Sequence, residues 1–311
     1  MAASWASTRL RVLPDVKSDM GRSIWVGDSL FGRALSHAAG KPRLNNSFIR
    51  RLGSIGARTA LDRRVPAHHR SLMKNTAVLI SHDRAEHGDE RVSAFLKSKD
   101  FRLLWACPAE GGTLPIIGEG TGALVVYGGK YGVPDKDAHA FLKDEMRAIR
   151  TALVRDIPVL GICLGAQLLA HELEADVGPH PDSLHEYGYY PLIPTGEGRA
   201  FIPEGLMALQ SHYHQFALPR GAERLASSEF YENQAFRYGG KAFGLQFHPE
   251  ASRASLARWI SRRGERNFAR GGHPPERQLA DHAKYDSDLG QWFDGFLEKW
   301  IAPALEKSKA A

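Results

Sequence analysis

The sequence predicts an α/β fold: a three-layer sandwich of helices around a mostly parallel sheet. Three observations carry this. Short apolar runs of strand length recur, at residues 76–81, 101–106, 123–127 and 158–162. Stretches with helical length and good helix formers, 86–99 and 135–155, lie between them. The spacing of strands and crossovers is even, which is how a parallel sheet covered on both faces is wound; the outline is flavodoxin-like.

Residues 1–72 stand apart from that pattern. They carry 13 Lys plus Arg against 4 acidic residues, a net of +9, whereas the remaining residues carry 28 against 31, a net of −3. The formal net charge of +6 therefore belongs to the extension, and an electropositive body for nucleic acid is not implied. The segment contains 11 arginines, but no sustained amphipathic helix for a transit peptide and too little Lys and aromatic interleaving for a nucleic-acid arm. It reads as a basic, disordered extension, with a domain spanning 73–311 that starts at Met73. No apolar run approaches membrane-spanning length. The chain has two cysteines, Cys107 and Cys163, which give no disulfide framework and fit a reducing cytoplasm. Cys107 reads as core.

TAVLIS (76–81) is the first buried strand, closed by His82, to which no pattern assigns a role. GEGTG (118–122) precedes a strand and lacks the Lys-Ser/Thr of a phosphate loop, so it reads as a turn. ALVVY (123–127) is the next strand, followed by Gly128 and Gly129. Glycines at the carboxyl end of a buried strand let backbone N–H groups approach a ligand; an oxyanion hole fits there, as does a tight turn.

The short strand at 158–162 runs into Cys163 and at once into a helix at 164–173. Gly161 and Gly165 flank the cysteine at minus two and plus two. A strand that turns sharply into a helix crowds its neighbours, and residues without side chains relieve the crowding on both sides of a strained nucleophile. The helix terminus favours a thiolate, the species acyl transfer needs. The competing reading is an inert buried cysteine with glycines that serve packing.

Residues 186–194 and 205–210 begin a more β-rich half. SHYH (211–214) has a His-x-His spacing that can chelate a metal, but no third ligand is evident. Residues 233–247 contain two β runs joined by Gly239-Gly240, a hairpin signal. The second ends in FGLQFHPE (243–250), where His248 and Glu250 share one side of an extended segment and Pro249 stiffens it. Cysteine, histidine and carboxylate in this order form a nucleophilic triad, with His248 as base and acid and Glu250 as its orienter. A helix follows at 252–263, Pro274 and Pro275 break the chain, a helix at 288–301 closes it, and the Lys- and Ala-rich tail frays.

GICLGAQ together with FGLQFHPE resembles the signature pair of class I, triad-type glutamine amidotransferases, most closely their stand-alone GMP-synthase-like branch. The likeness runs from about Met73 to about Ile301 through ALVVYGG, EYGYYPL, LQSHYHQF and NQAFRYGG. It implies an oxyanion hole from the amides of Gly129 and Leu164, with Gly128 as runner-up, and Lys130 stands where relatives usually have proline. It also implies that Gln167, Ser211, His212 and Tyr213 contact substrate.

The expected function is hydrolysis of the glutamine side-chain amide to glutamate and ammonia through a Cys163 thioester, with no metal and no organic cofactor. Ammonia would pass to a separate synthetase, since too few residues follow Glu250 for an ATP-using domain. No nucleic-acid or membrane partner is expected. The alternatives are a hydrolase of γ-glutamyl peptides or amides, and a non-catalytic regulatory module, which the intact triad argues against.

Overall fold

A computed structural model describes residues 76–309 of the chain. The basic extension at 1–72 and the domain boundary at residue 73 lie outside the described residues.

Strand β1 (Thr76–Ile80) leads through a single 3₁₀ turn to α1 (Arg91–Ser98), and β2 (Arg102–Ala106) and β3 (Thr121–Val126) follow. Helix α2 (Ala140–Val154) returns the chain to β4 (Val159–Ile162), and α3 (Leu164–Glu172) starts at once. The second half holds β5 (Val177–Pro179), β6 (Glu186–Pro191), β7 (Ile193–Pro194), β8 (Met207–His212), β9 (His214–Phe216), β10 (Glu223–Ser227), β11 (Ala235–Tyr238) and β12 (Ala242–Leu245). Two helices, α4 (Arg253–Arg263) and α5 (Pro275–Lys309), complete the described chain.

Among the described residues the main sheet has eight strands in the order β2-β1-β3-β4-β12-β11-β10-β7. It is parallel from β2 through β12 and antiparallel beyond. Strand periodicity divides the core into two layers. Ala77, Leu79, Ala123 and Val125 face one side with Val92, Leu96 and the α5 aromatics Phe293, Phe296 and Trp300. Val78, Ile80, Leu124 and Val126 face the other side with Leu142 and Ile149 of α2 and Leu168 and Leu169 of α3. Burial on both faces makes these strands continuous apolar runs rather than alternating ones. The three-layer sandwich expected from sequence is the observed fold.

Three helices differ from expectation at their ends. The helix expected over 86–99 begins at Arg91, because the Glu90 carboxylate accepts the N–H groups of Val92 and Ser93 at 2.7 and 2.8 Å and so caps α1 there. The helix expected over 135–155 is a 3₁₀ turn at Val133–Asp137 followed by α2. The closing helix starts at Pro275, well before residue 288, and continues to Lys309, beyond residue 301. Proline has no N–H to lose in a first turn, so Pro274-Pro275 starts a helix where it was expected to interrupt the chain.

Sheet order decides what the site contains. β4 lies between β3 and β12, so the ends of three neighbouring parallel strands bring Gly128, Cys163 and His248 to one edge. The β11–β12 hairpin turns through Gly239 and Gly240 at φ 61° and 83°, the double positive-φ geometry of a two-residue turn.

Candidate active site

The turn from β4 into α3 puts Cys163 at φ 51° and ψ −108°. Few side chains adopt this region, and it persists only where surroundings enforce it. Two close approaches enforce it here. A Cβ on Gly161 would lie 2.5 Å from the Gly165 carbonyl oxygen, and a Cβ on Gly165 would overlap the Val126 carbonyl. Strand and helix therefore meet where no side chain fits on either side of the cysteine. The N–H of Cys163 donates to Leu245 O at 2.7 Å, and the N–H of Gln167 donates to Cys163 O at 3.0 Å.

His248 follows β12. Its backbone N–H donates to Leu209 O at 2.8 Å, and its Nδ1–H donates to Glu250 Oε1 at 2.8 Å. Only 4% of His248 and 5% of Glu250 are exposed. The Nδ1 bond sets the tautomer and leaves Nε2 for the other side of the ring. A methyl-sized position on Gly128 would be 2.7 Å from His248 Cε1, 3.6 Å from Nε2 and 3.3 Å from Cys163 Cβ. Thiol and imidazole thus converge over Gly128, and Trp259 covers the ring at 4.6 Å between centroids.

Electrostatics follow from this packing. Burial is the largest single influence on His248 and disfavours its charge. The Glu250 carboxylate, and then Cys163 through charge and hydrogen bonding, outweigh burial and push the imidazole up to about 10. Glu250 Oε2 is buried without a hydrogen-bond partner. Burial pushes Glu90 up to about 7 against its hydrogen bonds from Ser93 and Tyr127, with the Glu250 charge adding to the rise.

Leu164 is the first residue of α3, so its N–H has no intrahelical partner. Gly128 and Gly129 follow the end of β3, with Gly128 against the thiol and imidazole and Gly129 against His82. Gln167 is buried and donates to Gln246 Oε1 at 3.1 Å. Ser211 stands opposite Tyr187 across the β6–β8 pair. Tyr213 is 42% exposed, with its ring 4.5 Å from His214 and 5.4 Å from His185.

His212 is occupied elsewhere. Its Nδ1–H donates to His214 O at 3.0 Å, and its Nε2 meets Glu186 Oε2 and Gln210 Oε1, each at 3.1 Å. Glu186 is fully buried and also accepts from Ser228 Oγ at 2.7 Å and Gln234 Nε2 at 2.6 Å. His212 thereby satisfies a buried carboxylate, and the His-x-His pair does not converge on a shared point for a metal. Among the described residues no group of three or more His, Cys, Asp or Glu is arranged to hold one.

Two features escaped sequence reasoning. Tyr187, quoted above only within EYGYYPL, has its phenol raised by burial, against the Arg263 charge, with Tyr213 and Cys163 among the groups acting on it; it lies within electrostatic reach of the thiol. Glu145 lies on α2, 63 residues from its partner His82, a separation no local pattern connects.

The family model for "Glutamine amidotransferase class-I" matches residues 118–261. The chain is 34% identical over 142 residues to a GMP synthase [glutamine-hydrolyzing] of Porphyromonas gingivalis, covering 44% of this chain and 26% of that protein. The chain thus spans about a quarter of the length of that relative. It is also 34% identical over 142 residues to a single subunit of the GMP synthase [glutamine-hydrolyzing] of Ignicoccus hospitalis, covering 44% of this chain and 71% of that one. A crystal structure of a glutamine amidotransferase from Thermotoga maritima superposes with a TM-score of 0.65 at 30% identity, over 73% of this chain and 97% of that one. Among the described residues, no helix is long and apolar enough to cross a membrane.

Proposed function

The chain belongs to the class-I glutamine amidotransferases, and from that premise we propose that it hydrolyses the side-chain amide of glutamine with Cys163 as nucleophile, His248 as general base and acid, and Glu250 as the orienting carboxylate. The observation that carries this reading is the convergence of the strained Cys163 and the buried His248–Glu250 pair over Gly128. Cys163 Sγ attacks the carboxamide carbon, and the thiol proton resides on His248. The tetrahedral oxyanion accepts hydrogen bonds from the N–H groups of Leu164 and Gly129, with Gly128 the second choice. Collapse expels the amine, which takes the proton from His248 and leaves as ammonia. Water, deprotonated by His248, then cleaves the thioester to glutamate and regenerates the thiol. Glutamine and water become glutamate and ammonia, with no redox change.

Glutamine lies against Gln167, Ser211 and Tyr213 in this proposal, and His212 acts by fixing the β8–β9 backbone through Glu186. The likeness to a GMP synthase whose glutamine-hydrolysing part is one separate subunit supports a separate synthetase as the acceptor of the ammonia. The test is glutamate and ammonia release by the purified chain from glutamine, beside glutamate release from γ-glutamyl dipeptides. Turnover of glutamine that vanishes in Cys163→Ala is the expected result. Turnover of dipeptides without glutamine would make the chain a γ-glutamyl hydrolase with the same machinery, and activity retained by Cys163→Ala would remove the nucleophile assignment.

A further inference from the structure

His82 and Glu145 form a buried pair that the proposed chemistry does not use. Their side chains are 2% and 0% exposed, and His82 Nε2 lies 3.0 Å from Glu145 Oε2. The other ring nitrogen, Nδ1, lies 2.9 Å from Gly128 O. A carbonyl only accepts, so Nδ1 carries a proton, and the proton between Nε2 and Oε2 is shared by the pair. Glu145 Oε1 is buried without a hydrogen-bond partner, so the hydrogen bonding of this carboxylate is directed at His82 alone among the described residues. Removing a carboxylate from water is unfavourable, and a buried ion pair adds little net stability over an apolar pair of the same volume. The arrangement calls for a role other than stability.

The position of the ring supplies one. A Cβ on Gly129 would be 2.6 Å from His82 Cγ and 2.8 Å from both its Cβ and Nδ1; the imidazole is pressed against the Gly128–Gly129 peptide. In a trans peptide the C=O of one residue and the N–H of the next are coplanar and point in opposite directions. Holding Gly128 O toward His82 therefore directs the Gly129 N–H away from it. Gly128 itself abuts Cys163 and His248, so the peptide being held is the one that borders the reacting groups.

We infer that His82, backed by Glu145, is a positioning residue that clamps the Gly128–Gly129 peptide and thereby aims the Gly129 N–H at the oxyanion formed on Cys163. The inference rests on the reading of Gly129 as an oxyanion donor. It predicts selective damage. Amide hydrolysis and ester acylation pass through an oxyanion, whereas displacement of iodide from iodoacetamide by the thiolate does not.

The experiment compares the full chain with His82→Leu, His82→Asn and Glu145→Gln, each checked for folding by thermal denaturation. Two rates are measured at Cys163, assigned by peptide mapping: acylation by p-nitrophenyl acetate and alkylation by iodoacetamide. Glutamine hydrolysis is followed in parallel. In His82→Leu the ratio of acylation to alkylation falls about 10- to 100-fold, with the glutamine kcat falling alike at nearly constant KM. His82→Asn keeps an amide donor near the Nδ1 position and recovers most of the loss; Glu145→Gln is intermediate. An unchanged ratio in a folded His82→Leu overturns the clamp, as does a parallel loss of both rates, which would mean general damage to the thiol site. A native chain that is not acylated at Cys163 removes the parent reading and the clamp with it, whereas a native chain acylated there but inert toward glutamine removes only the substrate.

Discussion

At the scale of single residues, the division of labour between His248 and Glu250 is testable. His248 performs both proton transfers, each typically contributing about 10² to 10⁴ in rate, whereas Glu250 holds the ring through one hydrogen bond of 2.8 Å. His248→Ala should lower glutamate formation at saturating glutamine far more than Glu250→Ala, with circular dichroism confirming both folds; equal losses would mean that the carboxylate does more than orient. The same pair makes stability depend on pH. The ring rises from an ordinary 6.5 to about 10 on folding. A raised basic group stabilises the native state fully below its unfolded value, and that contribution is lost as pH climbs through the folded one. Native chain should therefore lose stability between pH 6.5 and about 10, by an amount on the order of a few kcal/mol. Urea melts at the two ends of this window should show a smaller drop for His248→Ala; an identical drop would mean that the imidazole is not held charged.

At the scale of elements, the β4–α3 junction works because backbone packs directly on backbone. A methyl at position 165 collides with the Val126 carbonyl, an atom that cannot rotate away as a side chain would. Gly165→Ala should destabilise the chain by at least about 1–3 kcal/mol, the usual range for overpacking. It should also displace Cys163, so that activity falls further than stability. Denaturant melts and glutamine turnover measured on the same preparation check both; an unperturbed variant would show that the junction can relax.

For the whole molecule, the long α5 helix completes one layer of the sandwich. Trp300 is 1% exposed and packs with Phe293, Phe296 and Leu297 on the face of the sheet that carries Leu79 and Val125. Trp300→Ala should cost about 3–5 kcal/mol. Its Nε1 is buried without a hydrogen-bond partner, so Trp300→Phe forfeits contact area but no hydrogen bond and should cost distinctly less. Comparable losses from both substitutions would reveal a partner for the indole N–H. Arg91 adds a polar link from α5 to the site: it bonds Asp286 at 2.6 Å and also donates to Pro249 O and Ala251 O at 2.9 and 3.1 Å. The backbone on either side of Glu250 is thus tied to the closing helix.

Local chemistry was enough to read the strand runs, the glycines around Cys163, the Gly239-Gly240 turn and the His-Pro-Glu spacing, because each is a constraint that a few consecutive residues impose on their own backbone. Helix ends were less legible. Arg91 starts α1 because Glu90 caps it, and Pro275 starts α5 because a first-turn proline loses nothing; both signals are local but compete with longer apolar periodicity. What only the tertiary structure decided is which distant groups meet. Strand order set β4 between β3 and β12 and so brought Gly128, Cys163 and His248 together. Burial turned His212 toward Glu186 and His82 toward Glu145. A buried carboxylate must find a partner wherever the fold supplies one, and that choice is made across the sheet, beyond the reach of any sequence window.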